Sequence, residues 1–361
     1  MEKSYFIEYI KTYFKGIITS VLKLLNGKED GMPPRYRFKE MLRPKFSITG
    51  KWESILSDYR NVKADIVAMD SPLPIKKRGK LGSASGDIPK SGMKKWLNET
   101  QMTNLQTLDA LGEQDEIKAE LFKDAASCIT GVYENNEYMF LYGLSTGIAL
   151  ATDAENVGTG VRLNYGYKTE NQFGVTIDWS NSAAKPIDDF ERMFEVAKGN
   201  IRILMIDRPT LRKLCSCAQI REAWAFFKDM NVTSGTLIPA LSLEKLNEYM
   251  QSEYKVTFDV VERTIISEKN GDDTILTPWK EGMIIGIPNY VVGDLVYAKT
   301  AEQNAPVAGV EYQLVDNYAL LSMYRKNEPA VSEYTQIQAR VFPVITNVNK
   351  VYQLDTKTIQ A

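Results

Sequence analysis

The sequence predicts an α+β fold, and three observations carry that prediction. Residues 113–142 keep one helical register, with Ile117, Leu121, Ala125, Cys128, Val132, Met139 and Tyr142 recurring on a 3.6-residue period. Residues 160–179 and 330–356 instead alternate like strands and are bounded by turn residues. Between them, the block 201–298 mixes strand and helix patterns and is expected to be an α+β domain of its own.

Taken from the N-terminus, Phe6, Ile10, Phe14, Ile17, Val21 and Leu25 form one apolar stripe, with Tyr13 and Leu24 beside it. Residues 4–25 therefore read as an amphipathic helix, closed at Asn26-Gly27. The stretch from Gly27 to Pro34 reads as a linker, because Gly, Pro and charge dominate it. A stripe carried on a linker must be buried, either on its own domain or on a neighbouring subunit. Both options stay open, and Phe6, Ile10, Phe14 and Ile17 are the candidate neighbour contacts.

Residues 62–103 are the least domain-like part of the chain. The strand-like run Val62 to Ala68 leads into Ser71-Pro72-Leu73-Pro74-Ile75, the cations Lys76, Lys77, Arg78 and Lys80, and then Gly82-Ser83-Ala84-Ser85-Gly86. A compact domain rarely holds so long a loop. The alternating flanks favour a two-stranded arm with a polar tip, and an isolated hairpin is at best marginally stable, so a partner surface is implied. The four cations are candidate inter-subunit contacts at that tip. They could also touch nucleic acid, but no aromatic residues are interleaved with them to stack on bases.

The 113–142 helix opens on Glu113, Gln114, Asp115 and Glu116, three of them acidic, which suits the positive end of the helix dipole. At 1.5 Å per residue it is about 45 Å long, a spine rather than an ordinary helix. Pro186 opens a helix closed by Gly199, and residues 201–206 form a buried strand. Asp207 starts a helix running to about Phe227, Ser242 caps another over 243–253, and Val256, Phe258 and Val260 alternate as a strand. Asn270-Gly271 is a hairpin turn signal, and 330–356 read as a final pair of strands.

Composition narrows the function. The 361 residues carry 44 Lys and Arg against 46 Asp and Glu, a net charge of −2, with 44% hydrophobic residues. That balance excludes a basic, DNA-condensing protein, which needs many uncompensated cations. Histidine is absent, which removes His-based triads, His general bases and His-ligated zinc. Cys128, Cys215 and Cys217 are too few and too closely spaced for a disulfide scaffold, and a reduced environment is expected. The apolar stretch from Ile17 to Leu25 is interrupted by Thr19, Ser20 and Lys23, too short to cross a membrane. A soluble protein without a secretory signal is expected.

Each chemical motif has a plainer explanation. Gly271-Asp272-Asp273 resembles a metal-binding turn of polymerases, but Ser267-Glu268-Lys269-Asn270 precede it where apolar residues would be needed, so a hairpin tip is expected. Cys215-x-Cys217 lacks two further ligands for zinc, and the pair is read as small core residues. No GxxxxGK[ST] sequence occurs near Lys80 or elsewhere. Asp188-Asp189 lie at a helix start, where the dipole accounts for them. No catalytic, metal or cofactor site is assigned.

The order of elements resembles the shell protein of tailed bacteriophages, the HK-ninety-seven-like fold, in its lambda-type branch. Gly166 to Trp179 followed by Ala184-Lys185-Pro186-Ile187-Asp188-Asp189 resembles that branch's strand, Trp-Ser turn and helix start. Glu281 to Pro288, Gly293 to Ala298, and Glu328-Pro329 to Pro343 are similar to its closing strands. The resemblance spans about 40 to 356. It implies an N-terminal helix and arm over 1–61, an extended loop over 62–103, and a peripheral domain over 104–186 that 330–361 rejoins. Residues 187–329 would be an axial domain. It further implies a non-enzymatic major capsid protein that forms pentamers and hexamers of an icosahedral shell in the virion, assembled in the host cytoplasm. Its partners would be itself, portal, scaffold and decoration proteins, and double-stranded DNA enclosed without sequence-specific binding; no membrane is involved. The alternatives are an encapsulin-like nanocompartment shell, which shares the fold, and a hydrolase using Cys215 or a carboxylate pair.

Overall fold

The computed structural model describes residues 4–26, 36–57, 81–151, 161–229, 238–269, 271–328 and 330–360. Helix α1 (Ile7–Asn26) is followed by the short α2 (Arg37–Met41) and by β1 (Leu42–Phe46). Strands β2 (Lys51–Ser57) and β3 (Leu81–Asp87) pair antiparallel, from Lys51 with Asp87 to Ser57 with Leu81. The excursion therefore starts earlier than expected, and β4 (Lys90–Leu97) already belongs to the body, paired with a core strand. Lys76, Lys77, Arg78, Lys80 and the expected strand over 62–68 lie outside the described residues.

Asn98 caps α3 (Glu99–Leu111) with a reciprocal capping box to Gln101, a helix that the reading of 62–103 as a loop missed. The spine is α4 (Gln114–Thr146), 33 residues and about 50 Å long. Its N-terminal half buries one face. From Cys128 to Ser145 it is buried on most sides, the polar Asn136 and Glu137 included. Gly131, in mid-helix, has its reason here: a Cβ would stand 2.3 Å from the Met93 sulfur of β4.

The strand patterns that follow do not pair with each other. Strands β5 (Ile148–Ala151) and β6 (Val161–Asn164) form one hairpin, whereas β7 (Gln172–Val175) joins a different sheet. Then come α5 (Pro186–Ala197), β8 (Ile203–Asp207), α6 (Arg208–Ser216), α7 (Ala218–Phe227), α8 (Leu243–Glu253) and β9 (Thr257–Val261). The single helix expected from Asp207 to Phe227 is broken at Cys217, whose extended backbone turns the chain so that Leu211, Leu214 and Ile220 enter one core. Strands β10 (Ile265–Lys269) and β11 (Asp272–Leu276) make a hairpin, followed by β12 (Met283–Ile287) and β13 (Gly293–Ala298). The chain ends with α9 (Ala301–Asn304), β14 (Glu311–Val315), β15 (Ala319–Lys326), β16 (Ser332–Ile345) and β17 (Tyr352–Ile359).

Two sheets organise the body. One runs β1-β13-β16-β15-β14, with β4 also paired to β16, and covers α4. The other runs β7-β17-β12-β8-β9. One face of it lies under α5 to α8 and the other meets the spine core. Strand β12 shows both sides: Ile284 packs under the helices, while Met283, Ile285 and Ile287 face the spine. The expected block 187–329 is thus divided, because β13, β14 and β15 leave it to cover the spine. The expected final strand pair is divided too. Strand β16 joins one sheet and β17 the other, since each must bury two faces against different partners.

Helix α1 covers its stripe inside the subunit. Phe6, Ile10, Phe14 and Ile18 are buried, with Phe14 stacked on Phe122 of α4 at 5.9 Å, and Ile17 is half-buried. Ser4 Oγ and the Tyr5 N–H donate to Glu333 at 3.0 and 2.7 Å, and Tyr9 donates to Asp109 at 2.7 Å. Of the two options for this stripe, packing on its own domain is the one seen, so Phe6, Ile10 and Phe14 are not offered to a neighbour in this conformation.

Glu137, 1% exposed on α4, holds the chain's entry into the body. Its two carboxylate oxygens accept the Arg37 and Phe38 N–H groups at 3.1 and 2.9 Å, which satisfies the open start of α2. Arg37 in turn donates to Asp259 and, at 2.6 Å, to the Val260 carbonyl. Burial pushes the Glu137 carboxyl above the usual glutamate range, against the pull of those two N–H groups. Glu137→Ala leaves two buried donors without partners and is expected to lower unfolding stability by about 3 kcal/mol. Urea unfolding checks this; a loss under about 0.5 kcal/mol would mean the carboxylate does not hold α2.

Candidate assembly surfaces

No described group of His, Cys, Asp or Glu residues has the arrangement to hold a metal ion. The residues singled out for chemistry sit in structural roles. Asp189 is fully buried and accepts from the Thr176 N–H and hydroxyl and from Trp179 Nε1, each at 3.0 Å, and from Arg192 at 2.8 Å. It ties the turn after β7 to α5. Asp188 is exposed and accepts from Gln219 at 2.6 Å. Gly271, Asp272 and Asp273 lie at and beside the exposed β10–β11 turn. Cys215 and Cys217 are unbonded and buried under α6 and α7, and Cys217 donates to the Trp179 carbonyl at 3.4 Å.

What the surface offers instead is exposed apolar area, three places of which bear on assembly. The first is the root of the β2–β3 excursion. Trp52 is buried against Phe342, with ring centroids 5.9 Å apart, and Arg340 donates to the Gly50 carbonyl at 3.2 Å. Those two contacts fix the direction in which the arm leaves the body. Beside them Phe46 and Ile48 are exposed, Ile48 at 92%, along an open cleft of about 350 Å³ shared with Ala298, Lys299 and Arg340. The second is the β10–β11 hairpin, where Ile266 and Ile275 stand directly opposite each other, 65% and 72% exposed. The third is Trp96, exposed on β4.

The excursion and the hairpin turn are legible in the sequence, whereas none of these apolar residues stands out in it. The signal for Ile266 and Ile275 was their equal distance from the Asn270-Gly271 turn, which pairs them across the ladder. For Ile48 and Trp96 no local signal exists, because neither breaks a pattern until its neighbours in space are known. No described helix is long and apolar enough to cross a membrane.

No protein-family model matches the chain, and no curated protein does. Solved structures do match. One, assigned as the capsid protein of a prophage of E. coli CFT073, superposes with a TM-score of 0.58 at 13% identity, covering 94% of this chain and 98% of that one. A phage-related protein from Bordetella bronchiseptica RB50 gives a TM-score of 0.50 at 11% identity, covering 96% of this chain and 98% of that one. At such identities the likeness concerns the fold: this chain has the mixed α+β, HK-ninety-seven-like architecture expected from its element order.

The burial of the cysteines is directly testable. Burial pushes Cys215 and Cys217 up to about 11 and Cys128 to about 12. At pH 8 about one in a thousand of the first two is thiolate, the reactive form. The native protein is expected to resist maleimide for hours at pH 8 and to react at all three sites in denaturant, as mass spectrometry would show. Rapid native labelling of Cys215 would restore it as a candidate nucleophile.

Proposed function

We propose that this chain is the major capsid protein of a tailed bacteriophage, assembling into pentamers and hexamers of an icosahedral shell around double-stranded DNA. The observation that carries this reading is the β2–β3 excursion. Among the described residues its two strands pair with no third strand, on a root held by Trp52 and Arg340. A two-stranded ribbon without a third strand gains too little to stand alone, so it needs a surface beyond its own subunit. The fold it grows from is that of a protein assigned as a prophage capsid.

In this reading the layer of α4, β1, β4, β13, β14, β15 and β16 is the peripheral domain, and the sheet under α5 to α8 is the axial domain around five- and six-fold axes. Residues 58–80, with Lys76, Lys77, Arg78 and Lys80, would reach an adjacent subunit. The net charge of −2 suits a wall that encloses DNA without gripping it. Portal, scaffold and decoration proteins are the other partners, the location is the virion capsid after assembly in the host cytoplasm, and no catalytic step belongs to the role. The resemblance of Gly166 to Asp189 to the lambda-type branch supports that placement within the group.

Electron microscopy and sedimentation of the purified chain, alone and co-expressed with neighbouring genes, test the proposal. Closed shells or rings of five and six are expected. Replacing residues 58–80 by a short Gly-Ser turn should leave a folded subunit and lower shell yield at least about tenfold, since linked contacts multiply. A monomer under all these conditions would sink the proposal. Shells that carry an enzyme and no DNA would assign the chain to the encapsulin-like alternative.

A further inference from the structure

The face of the β4–β16–β15 sheet turned away from α4 is ordered in rows. Trp96, Tyr334 and Tyr324 lie opposite one another across the three strands, Lys94, Gln336 and Ser322 form the next row, and Gly92, Gln338 and Leu320 the third. Tyr324 and Tyr334 stack at 5.5 Å, and the ammonium groups of Lys94 and Lys326 stand 5.6 and 5.8 Å from the Tyr334 ring. None of Lys90, Lys94 and Lys326 forms a salt bridge with a described carboxylate. Trp96 is 59% exposed. Tyr324, Ser322 and Leu320 are covered within the subunit, so the open part of the face lies along β4, where it is aromatic and positive, and no described carboxylate pairs with its lysines.

One group on it is incomplete. Gln338 is 2% exposed, yet neither its amide nitrogen nor its amide oxygen has a hydrogen-bond partner. It lines an open cleft of about 360 Å³ together with Lys90, Gly92 and Lys94. Gly92 leaves the cleft bare, and a Cβ there would come within 2.4 Å of the Ile337 carbonyl oxygen. A buried amide with nothing to bond is costly, and it marks a surface that is finished by something from outside.

The same chain carries the complement. On the β10–β11 hairpin Ile266 pairs with Ile275 and Glu268 pairs with Asp273, and cross-strand partners two residues apart share a face. One side of the hairpin thus shows two isoleucines and, nearer the tip, two carboxylates, all exposed. We infer that the β4–β16 face receives the β10–β11 hairpin of a second copy of this chain, an inference that rests on the shell-subunit reading. The isoleucines cover Trp96 and Tyr334, the carboxylates meet Lys94 and Lys90, and the polar tip supplies partners for Gln338. Two different patches meet, so the contact is head-to-tail, the kind that closes into rings when repeated by rotation.

Charge exchange tests the contact. Lys90→Glu/Lys94→Glu and Glu268→Lys/Asp273→Lys, all on exposed residues, should each reduce assembly at least about tenfold. Combined in one chain, the four substitutions should recover it, because every acidic face then meets a basic hairpin. A second measurement does not need shells: Lys94→Cys and Asp273→Cys preparations, oxidised together, should give a mixed disulfide dimer, the native thiols being buried. Wild-type shells with no effect of charge and no mixed dimer would overturn the contact and leave the shell reading standing. A mixed dimer and charge rescue of a ring without any shell would support the contact and count against the shell reading. Should the lysine face instead bind single-stranded oligonucleotide, with hairpin charge irrelevant to assembly, the contact is overturned in favour of nucleic acid.

Discussion

Everything in this structure is arranged around the need to cover α4. A helix of ordinary amphipathicity asks for one partner surface. From Cys128 to Ser145, however, α4 carries buried side chains on nearly every side, so its backbone direction has to be enclosed rather than backed. The wall is assembled from segments far apart in the chain: α1 and α2 from the N-terminus, β4 and α3 from just before it, and β16 from near the C-terminus. Each is itself only marginally stable. Their common dependence on one helix makes the subunit cooperative, and long-range pairing of this kind also predicts slow folding.

The polar contacts along the spine follow from that enclosure. Once α2 is laid against α4, its free N–H groups lose water, and Glu137 is the acceptor that replaces it. Glu134, one turn earlier, accepts from Tyr36 at 3.0 Å and pairs with Arg263, which anchors the segment leading into the β10–β11 hairpin. Tyr133 donates to Asp316, as does Lys39, whose ammonium lies 3.6 Å from the Tyr133 ring. Burial lowers the pKa of Lys39, against the opposing pull of the Asp316 carboxylate. One turn and a half of helix thereby sets the positions of the N-terminal entry, the hairpin and the β14–β15 turn.

Local pattern made much of this legible. The register of 113–142, the Pro186 and Ser242 helix starts and the Asn270-Gly271 turn all rest on residues within a few positions of one another. What escaped was decided at a distance. The pattern of Val161 to Asn164 is the same whether its partner is β5 or β7, so pairing could not be read from it. The break at Cys217 is invisible because no glycine or proline marks it; the chain turns to satisfy the Leu211–Leu214 face and Ile220 together. Residues 293–326 look like any antiparallel run. Only the demand of α4 for cover draws them to the spine rather than to the helix-covered sheet. Of the site, the excursion was visible through its composition, whereas Ile48, Trp96 and Gln338 became informative only when their surroundings were known.

Some of the uncovered apolar groups lie on the parts that project, and others, such as Phe226 and Trp96, on the body. Phe46 and Ile48 flank the root of the arm, and Ile266 and Ile275 the hairpin. The compact core between them is well sealed. Scattered apolar residues on a surface mean little, but paired ones on protruding ribbons mark places where association removes the exposure. Each such patch offers only one or two large apolar side chains, and one alone would bind weakly. Weakness is useful when a closed lattice must be corrected as it grows: a misplaced subunit held by one contact leaves quickly, while one held by several stays. A near-neutral charge removes long-range repulsion as an obstacle to that process, so short-range shape and local charge pairs are left to choose the partner. In the proposed shell subunit the same reasoning accounts for a spine enclosed along its C-terminal half. Contacts that are individually weak can specify one curvature only if the arms that make them leave the body in fixed directions.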